Sequence, residues 1–261
     1  MNTRVLRCTA LLLLLFPILT QAQTACSVTS GMRTAALVEL YSSEGCSSCP
    51  PADRALNALH TGAGPALVVP LALHVTYWDR IGWRDPFGQS RFDARQRTLL
   101  DAQHLQVAYT PQFFVAGSEL RGWSSGLANT IAAINARKAP VTLTLASRPT
   151  ATGVALDARV APAPGADLRS AALYLAVTES GLDSQVLRGE NGGARLHHDA
   201  AVRVLLGPVP VVHGTAQWHQ DVVVPAGWRR EHLQAVAFVQ ELSGPAILQA
   251  ISTASCGAQG T

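Results

Sequence analysis

The sequence predicts an α/β domain followed by an all-β domain, and three observations carry that expectation. Through residue 139, short apolar runs alternate with segments of helical spacing. After Pro140 the texture changes to short strand-like runs separated by Gly, Pro and Asn clusters. The third observation is a Cys46-Ser47-Ser48-Cys49 motif where the first apolar run gives way to the first helical segment. At 261 residues the chain is long enough for two domains. With 48% hydrophobic and 14% charged residues it has ample apolar surface for packed cores, which excludes a wholly disordered chain. Repeats of solenoid or propeller type are not visible.

Taken in order, residues 35–41 form a short apolar run bounded by polar residues, as a strand should. Ser42 to Cys49 is a loop rich in Ser and Gly, and Asp53 to His60 places Leu56 and Leu59 at helical spacing. Residues 66–75 are almost continuously apolar, which suits a strand buried on both faces. Tyr77 to Phe87 is aromatic and charged, and its two glycines and one proline argue for a loop. Ser90 to Gln103 again has helical spacing, and residues 112–116 and 119–123 alternate around Gly117 as a hairpin. Ser124 or Ser125 caps a last helix ending near Lys138. Beyond Pro140, strand-like runs occupy residues 142–145, 173–177, 202–206, 209–212, 222–224 and 236–239, the pattern of a β-sandwich. The resulting division is 33–139 for the α/β domain and 140–256 for the β domain.

Residues 1–22 read as a signal peptide. Arg4 and Arg7 form a basic start, Leu11 to Leu19 an apolar run, and Thr20, Gln21 and Ala22 a small-residue exit. The run is shorter than the roughly 20 residues a membrane-spanning helix needs. The chain is therefore expected in the periplasm or outside the cell, with no stable membrane insertion after cleavage. Losing the leader removes two of 20 basic residues and leaves 18 against 17 acidic, a net charge of +1. No basic stripe remains to attract nucleic acid or an anionic membrane.

Cys8 departs with the leader, leaving Cys26, Cys46, Cys49 and Cys256. An even number in an exported chain suggests two bridges. Cys46 and Cys49 are local neighbours, so of the three pairings the favoured one leaves Cys26 to meet Cys256. Such a bridge would close nearly the whole mature chain, worth about 4–5 kcal/mol in a chain-entropy model.

A C-x-x-C pair at a strand-to-helix junction puts the first sulfur at the helix start, where unpaired N–H groups favour a thiolate. Cys46 is then the nucleophile and Cys49 the resolving thiol of dithiol–disulfide exchange. A structural zinc would need a second ligand pair of similar spacing, and the sequence has none. Sixty residues on, Val107-Ala108-Tyr109-Thr110-Pro111-Gln112-Phe113-Phe114-Val115-Ala116-Gly117 sets a Thr-Pro immediately before an apolar strand and a turn. With this second segment the sequence resembles the thioredoxin superfamily. The resemblance implies a cis Pro111 facing the dithiol, a Thr110 backbone that pairs with an extended substrate, and a fold-consistent Gly122 before the last helix. More narrowly, Val38-Glu39-Leu40-Tyr41-Ser42-Ser43-Glu44-Gly45-Cys46, His74-Val75-Thr76-Tyr77-Trp78-Asp79 and Arg188-Gly189-Glu190-Asn191-Gly192-Gly193 look like a domain-of-unknown-function family of secreted bacterial thioredoxin-like proteins. That likeness brings a fold but no substrate.

Two departures stand out. Pro50 and Pro51 follow the dithiol, which argues for a later helix start. The Trp that usually precedes the first cysteine is replaced by Gly45. Tyr77 and Trp78 open a loop beside the dithiol edge and are expected to contact substrate. Cys46, Cys49 and His74 together offer a soft S/N set for Cu(I), against the simpler reading of His74 as a structural histidine. His197 and His198 point to opposite faces of a strand and are expected as solvated residues of a hairpin. Trp218 and Trp228 either pack in the β domain or mark an interaction face. The expected activity is thiol–disulfide exchange without a cofactor on a protein or small thiol/disulfide partner. The alternative is a binding module in which Cys46–Cys49 is only a structural bridge.

Overall fold

A computed structural model describes residues 25–61, 67–166, 170–212, 214–254 and 256. The predicted leader, residues 1–22, lies outside the described residues. Strand β1 (Cys26–Thr29) precedes β2 (Ala36–Ser42), α1 (Pro50–Thr61), β3 (Val68–His74), α2 (Ser90–Asp101), β4 (Gln112–Val115), β5 (Ser118–Glu119) and α3 (Trp123–Asn135). There follow β6 (Val141–Pro149), β7 (Gly153–Pro162), β8 (Ala171–Glu179), β9 (Leu182–Gln185) and β10 (Arg195–His198). The chain continues through β11 (Ala201–Pro210), β12 (Ala216–Val223), β13 (Leu233–Glu241) and β14 (Ile247–Ser252). Mixed α/β architecture dominated by sheet is the result.

The largest sheet has eight strands in the order β14-β13-β8-β11-β3-β2-β4-β5. β2 is buried at every position and lies parallel to β3 and antiparallel to β4. Continuous apolar runs are what a strand covered on both faces requires. β3 meets β11 through one parallel pair, Ala72 with Ala201, and the Ala72 N–H donates to the Ala200 carbonyl at 2.9 Å. The division at 139/140 therefore separates elements in sequence, while the sheet itself runs across it.

The β14 edge curls back toward β4 and β5. The Ile247 N–H donates to the Ala116 carbonyl at 3.1 Å, and the Ala35 N–H donates to Gln249 Oε1 at 2.7 Å. Gly117 makes that return possible. Its φ is +89°, and a Cβ there would sit 1.7 Å from the Pro245 carbonyl oxygen. Gly117→Ala is accordingly expected to cost at least about 1–3 kcal/mol from the left-handed backbone and the overlap together. Urea unfolding reads this directly, and an unchanged midpoint would mean that the two edges do not depend on their close approach.

A second sheet, β1-β6-β7-β12, covers the other end. Leu143, Leu145, Leu156 and Val160 pack there with Leu173, Leu175, Val177, Ala237 and Val239. β1 belongs to this sheet through pairing with β6, and Cys26 on β1 is bonded to Cys256. β9 and β10 form a separate two-stranded ribbon.

Candidate functional site around Cys46 and Cys49

β2 delivers the chain to a tight loop. The Cys46 N–H donates to the Ser43 carbonyl at 3.1 Å, the Gly45 N–H to Ser43 Oγ at 3.1 Å, and the Cys49 N–H to the Cys46 carbonyl at 3.2 Å. Cys46 and Cys49 are joined as a disulfide. Helix α1 starts at Pro50, directly after the motif and earlier than the prolines suggested. Proline suits a first turn because its missing N–H would have no helical partner there. The Ala52 and Asp53 N–H groups close the turn onto the Cys49 carbonyl at 2.9 and 3.0 Å.

Trp78 links this loop to the Thr110–Pro111 segment. A Cβ on residue 45 would lie 3.2 Å from Trp78 Cβ, so glycine leaves room for the tryptophan at that spot. The indole N–H of Trp78 donates to Thr110 Oγ1 at 2.7 Å. The Thr110–Pro111 peptide bond is cis. Tyr77 turns elsewhere, with its hydroxyl donating to Gln96 Oε1 on α2 at 3.4 Å.

Both half-cystines are fully buried, whereas Ser47 and Ser48 between them are exposed. The tip of the β9–β10 ribbon reaches this loop. Asn191 Nδ2 donates to the Glu44 and Cys46 carbonyls at 2.8 and 2.9 Å. The Glu190 carboxylate accepts from the Ser47 N–H at 3.0 Å and from Ser47 Oγ at 2.8 Å. Those two bonds hold the Glu190 pKa below its ordinary value.

Beneath the loop lies a buried polar cluster. His74 Nδ1 is 2.7 Å from Asp85 Oδ2, which also accepts from the Glu44 N–H at 2.8 Å. Glu44 Oε2 accepts from Trp83 Nε1 at 2.8 Å, and Glu44 Oε1 is 3.2 Å from His198 Nε2. The His74 and His198 rings meet edge-on at 4.8 Å. Ser42 Oγ donates to Asp53 Oδ1 at 2.6 Å. Burial opposes charge on His74, but the Asp85 carboxylate, with Asp53 and Glu44 nearby, overrides it and pushes the pKa up to about 9. Burial likewise works to raise Asp85, yet His74 and two backbone N–H groups hold its carboxyl below the ordinary range. For Asp53 burial wins and the carboxyl is pushed up.

The structure thus brings Cys46, Cys49 and Trp78 together and ties Thr110 to them through Trp78, while Tyr77 is occupied by α2. The soft-metal set is not formed: each sulfur is taken by the other, and His74 Nδ1 is engaged by Asp85. Among the described residues no three of His, Cys, Asp and Glu are arranged to hold a metal. The expectation for the histidine pair is also corrected. His197 is exposed, but His198 is buried against Glu44, Phe87 and His74 rather than solvated. Strand alternation separated the two histidines as expected; the face opposite His197 points into the site instead of into water. Trp218 packs against the β core, and Trp228 stacks on the Arg203 guanidinium at 4.6 Å. Sequence reasoning missed Glu44, Asp85, Glu190, Asn191 and His198 as site residues. Their signals were the charged Trp83-Arg84-Asp85 stretch and the Gly-rich 188–193 turn, both visible but unplaced.

Residues 37–240 match the family described as a protein of unknown function, DUF1223, and the chain belongs to that family. A crystal structure of a protein from Agrobacterium tumefaciens is similar at a TM-score of 0.57 and 21% identity, covering 85% of this chain and 95% of that one. HBP35 of Porphyromonas gingivalis is similar at a TM-score of 0.65 and 14% identity, covering 85% of this chain and 75% of its own. At such identities the likeness speaks to fold alone. No match was found among the curated proteins. Two disulfides accord with export, and among the described residues no helix is long and apolar enough to cross a membrane.

Proposed function

We propose that this chain is an exported thiol–disulfide oxidoreductase whose Cys46–Cys49 couple sits on a thioredoxin-like unit, residues 33–139, backed by a β-sandwich-like unit, residues 140–256. The observation that carries the reading is the bridged C-x-x-C at the start of α1, joined through Trp78 to a cis Thr110–Pro111 bond. In one direction a client thiolate attacks Cys46 Sγ, the Cys46–Cys49 bond breaks, and Cys49 leaves as a thiolate. A second client thiolate then attacks the client sulfur of the mixed disulfide and expels Cys46. The client leaves oxidised and the protein carries the dithiol; the reverse sequence reduces a client disulfide. Pro111 and the Thr110 backbone would present the client chain, and Trp78 would hold that segment in place.

Full burial of both sulfurs favours a second reading, in which the bridge is structural and the chain is a binding module. Two measurements separate them. Cys49→Ser protein with its Cys26–Cys256 bridge intact is expected to take up one glutathione per chain at Cys46 when treated with glutathione disulfide. Absence of that adduct counts against exchange. A reduction potential for the pair above about −300 mV fits an exchanger, and a lower one an inert bridge.

A further inference from the structure

The tip of the β9–β10 ribbon has no part in the exchange chemistry, yet its polar groups converge on the redox loop. Every bond that Glu190 and Asn191 make there goes to a main-chain atom of residues 44, 46 and 47 or to Ser47 Oγ. None depends on the identity of a buried side chain. The ribbon belongs to neither large sheet, and its base is fastened to α1, where Asn57 Nδ2 donates to the His197 carbonyl and the Asp199 N–H to Asn57 Oδ1. Between base and tip the loop turns at Gly189 and Gly193, with φ of +77° and +90°. Leu187, at the start of the turn, is 71% exposed and anchors nothing. Val186, where the ribbon passes into the turn, is fully buried; beyond it, apart from Gly189 against Trp83 and Ile81, the tip is held to the loop by exposed Glu190 contacts and half-buried Asn191 contacts.

We infer that residues 187–194 form an intrachain lid whose Glu190 and Asn191 contacts keep partners from Cys46, so that these two residues govern which thiols and disulfides reach the couple. The inference rests on the redox reading above. Chemistry at Cys46 needs a path for a second sulfur, and in the closed arrangement neither half-cystine is exposed. Glu190 has a further effect. Its carboxylate occupies the Ser47 N–H, a main-chain donor adjacent to Cys46 that would otherwise help to stabilise a thiolate. A negative charge at that place also opposes the anion itself. Opening the tip therefore both exposes the sulfur and activates it. On this view the exposed faces of Ser47 and Ser48 are where a partner's chain first replaces the tip.

The test compares mature wild-type protein with Glu190→Gln/Asn191→Ala. Each oxidised protein is exposed to excess dithiothreitol, aliquots are alkylated, and the Cys46 peptide is followed by mass spectrometry so that reduction of Cys26–Cys256 does not interfere. Cys46 is expected to be reduced at least ten-fold faster in the variant. The single Glu190→Gln change, on an exposed side chain, should move the rate in the same direction without risk to folding. Rates equal to wild type in both variants overturn the lid, because the shielding then comes from Trp78 and the loop itself. Faster reduction combined with no glutathione adduct in Cys49→Ser would leave the lid standing and remove the exchanger; equal rates with a normal adduct would do the opposite.

Discussion

Glu39→Gln is expected to lower stability by about 3–5 kcal/mol, because it strands a buried guanidinium. Glu39 lies in the middle of β2, fully buried, and receives Arg95 Nε at 2.6 Å and Nη2 at 3.0 Å. Arg95 comes from α2 and also donates from Nη1 to Gln240 Oε1 on β13 at 3.1 Å. Its guanidinium lies over the Tyr174 and Phe238 rings at 5.1 and 5.0 Å, and those rings are themselves stacked. Burial works against its charge, but the carboxylate overrides this and holds the pKa above the ordinary value. One side chain thus ties α2 and β2 to β8 and β13, across the boundary at which the sequence changes texture. The loss corresponds to a fall in Tm of roughly 6–20 °C for a chain of this size. Replacing both partners, as Glu39→Leu with Arg95→Met, should cost much less than the sum of the single losses, since apolar groups need no partner. Urea unfolding of the four proteins closes the cycle. Strictly additive losses would show that the pair is not a unit.

The same residues show what was legible in the sequence. β2 and β3 were readable because strands covered on both faces must be largely apolar, and Glu39 was the one carboxylate or permanent charge within either. The Cys46–Cys49 pair and the Thr110-Pro111 segment were readable as sequence features because spacing and neighbours survive in one dimension. Strand β7, by contrast, escaped. Its sequence Gly-Val-Ala-Leu-Asp-Ala-Arg-Val-Ala-Pro buries Leu156, Ala158 and Val160 on one face and shows Asp157 and Arg159 to water on the other, a short alternation diluted by alanines and with little β-branched content. Residues 202–206 and 209–212 read as two strands, but β11 passes through Gly207-Pro208 with a register shift and continues pairing with β8. The polar cluster failed for a different reason. Glu44, Asp85 and His198 are separated by 41 and 113 residues, and only the fold puts them within bonding distance. Nor did any local pattern show that the sheet runs on from β3 to β11, because that junction is a single residue pair.

That cluster makes stability depend on pH, with a sign fixed by the direction of each shift. His74 is raised from 6.5 to about 9 in the folded chain, so the folded state binds its proton more tightly than the unfolded state. The resulting stabilisation is fully present below pH 6.5 and is lost as the pH rises through about 9, amounting to about 3 kcal/mol. Asp85 acts on the other limb. Its folded pKa lies below the ordinary value, so its contribution is present above the ordinary carboxylate range and is lost as pH falls through the depressed value. The groups facing His74 are Asp85, Glu44 on the loop before Cys46, Asp53 on α1 and the ring of His198 on β10. Comparison with His74→Asn isolates the basic limb from the rest of the protein. The variant should be several kcal/mol less stable than wild type at pH 6.5, since Asp85 loses its buried counter-charge. Between pH 6.5 and 9.5 that gap is expected to narrow by about 3 kcal/mol, because the wild-type imidazolium gives up its proton while the variant has none to lose. A gap that stays constant across this interval would show that His74 is neutral in the folded protein, and the ion pair beneath the Cys46–Cys49 loop would then be only a hydrogen bond.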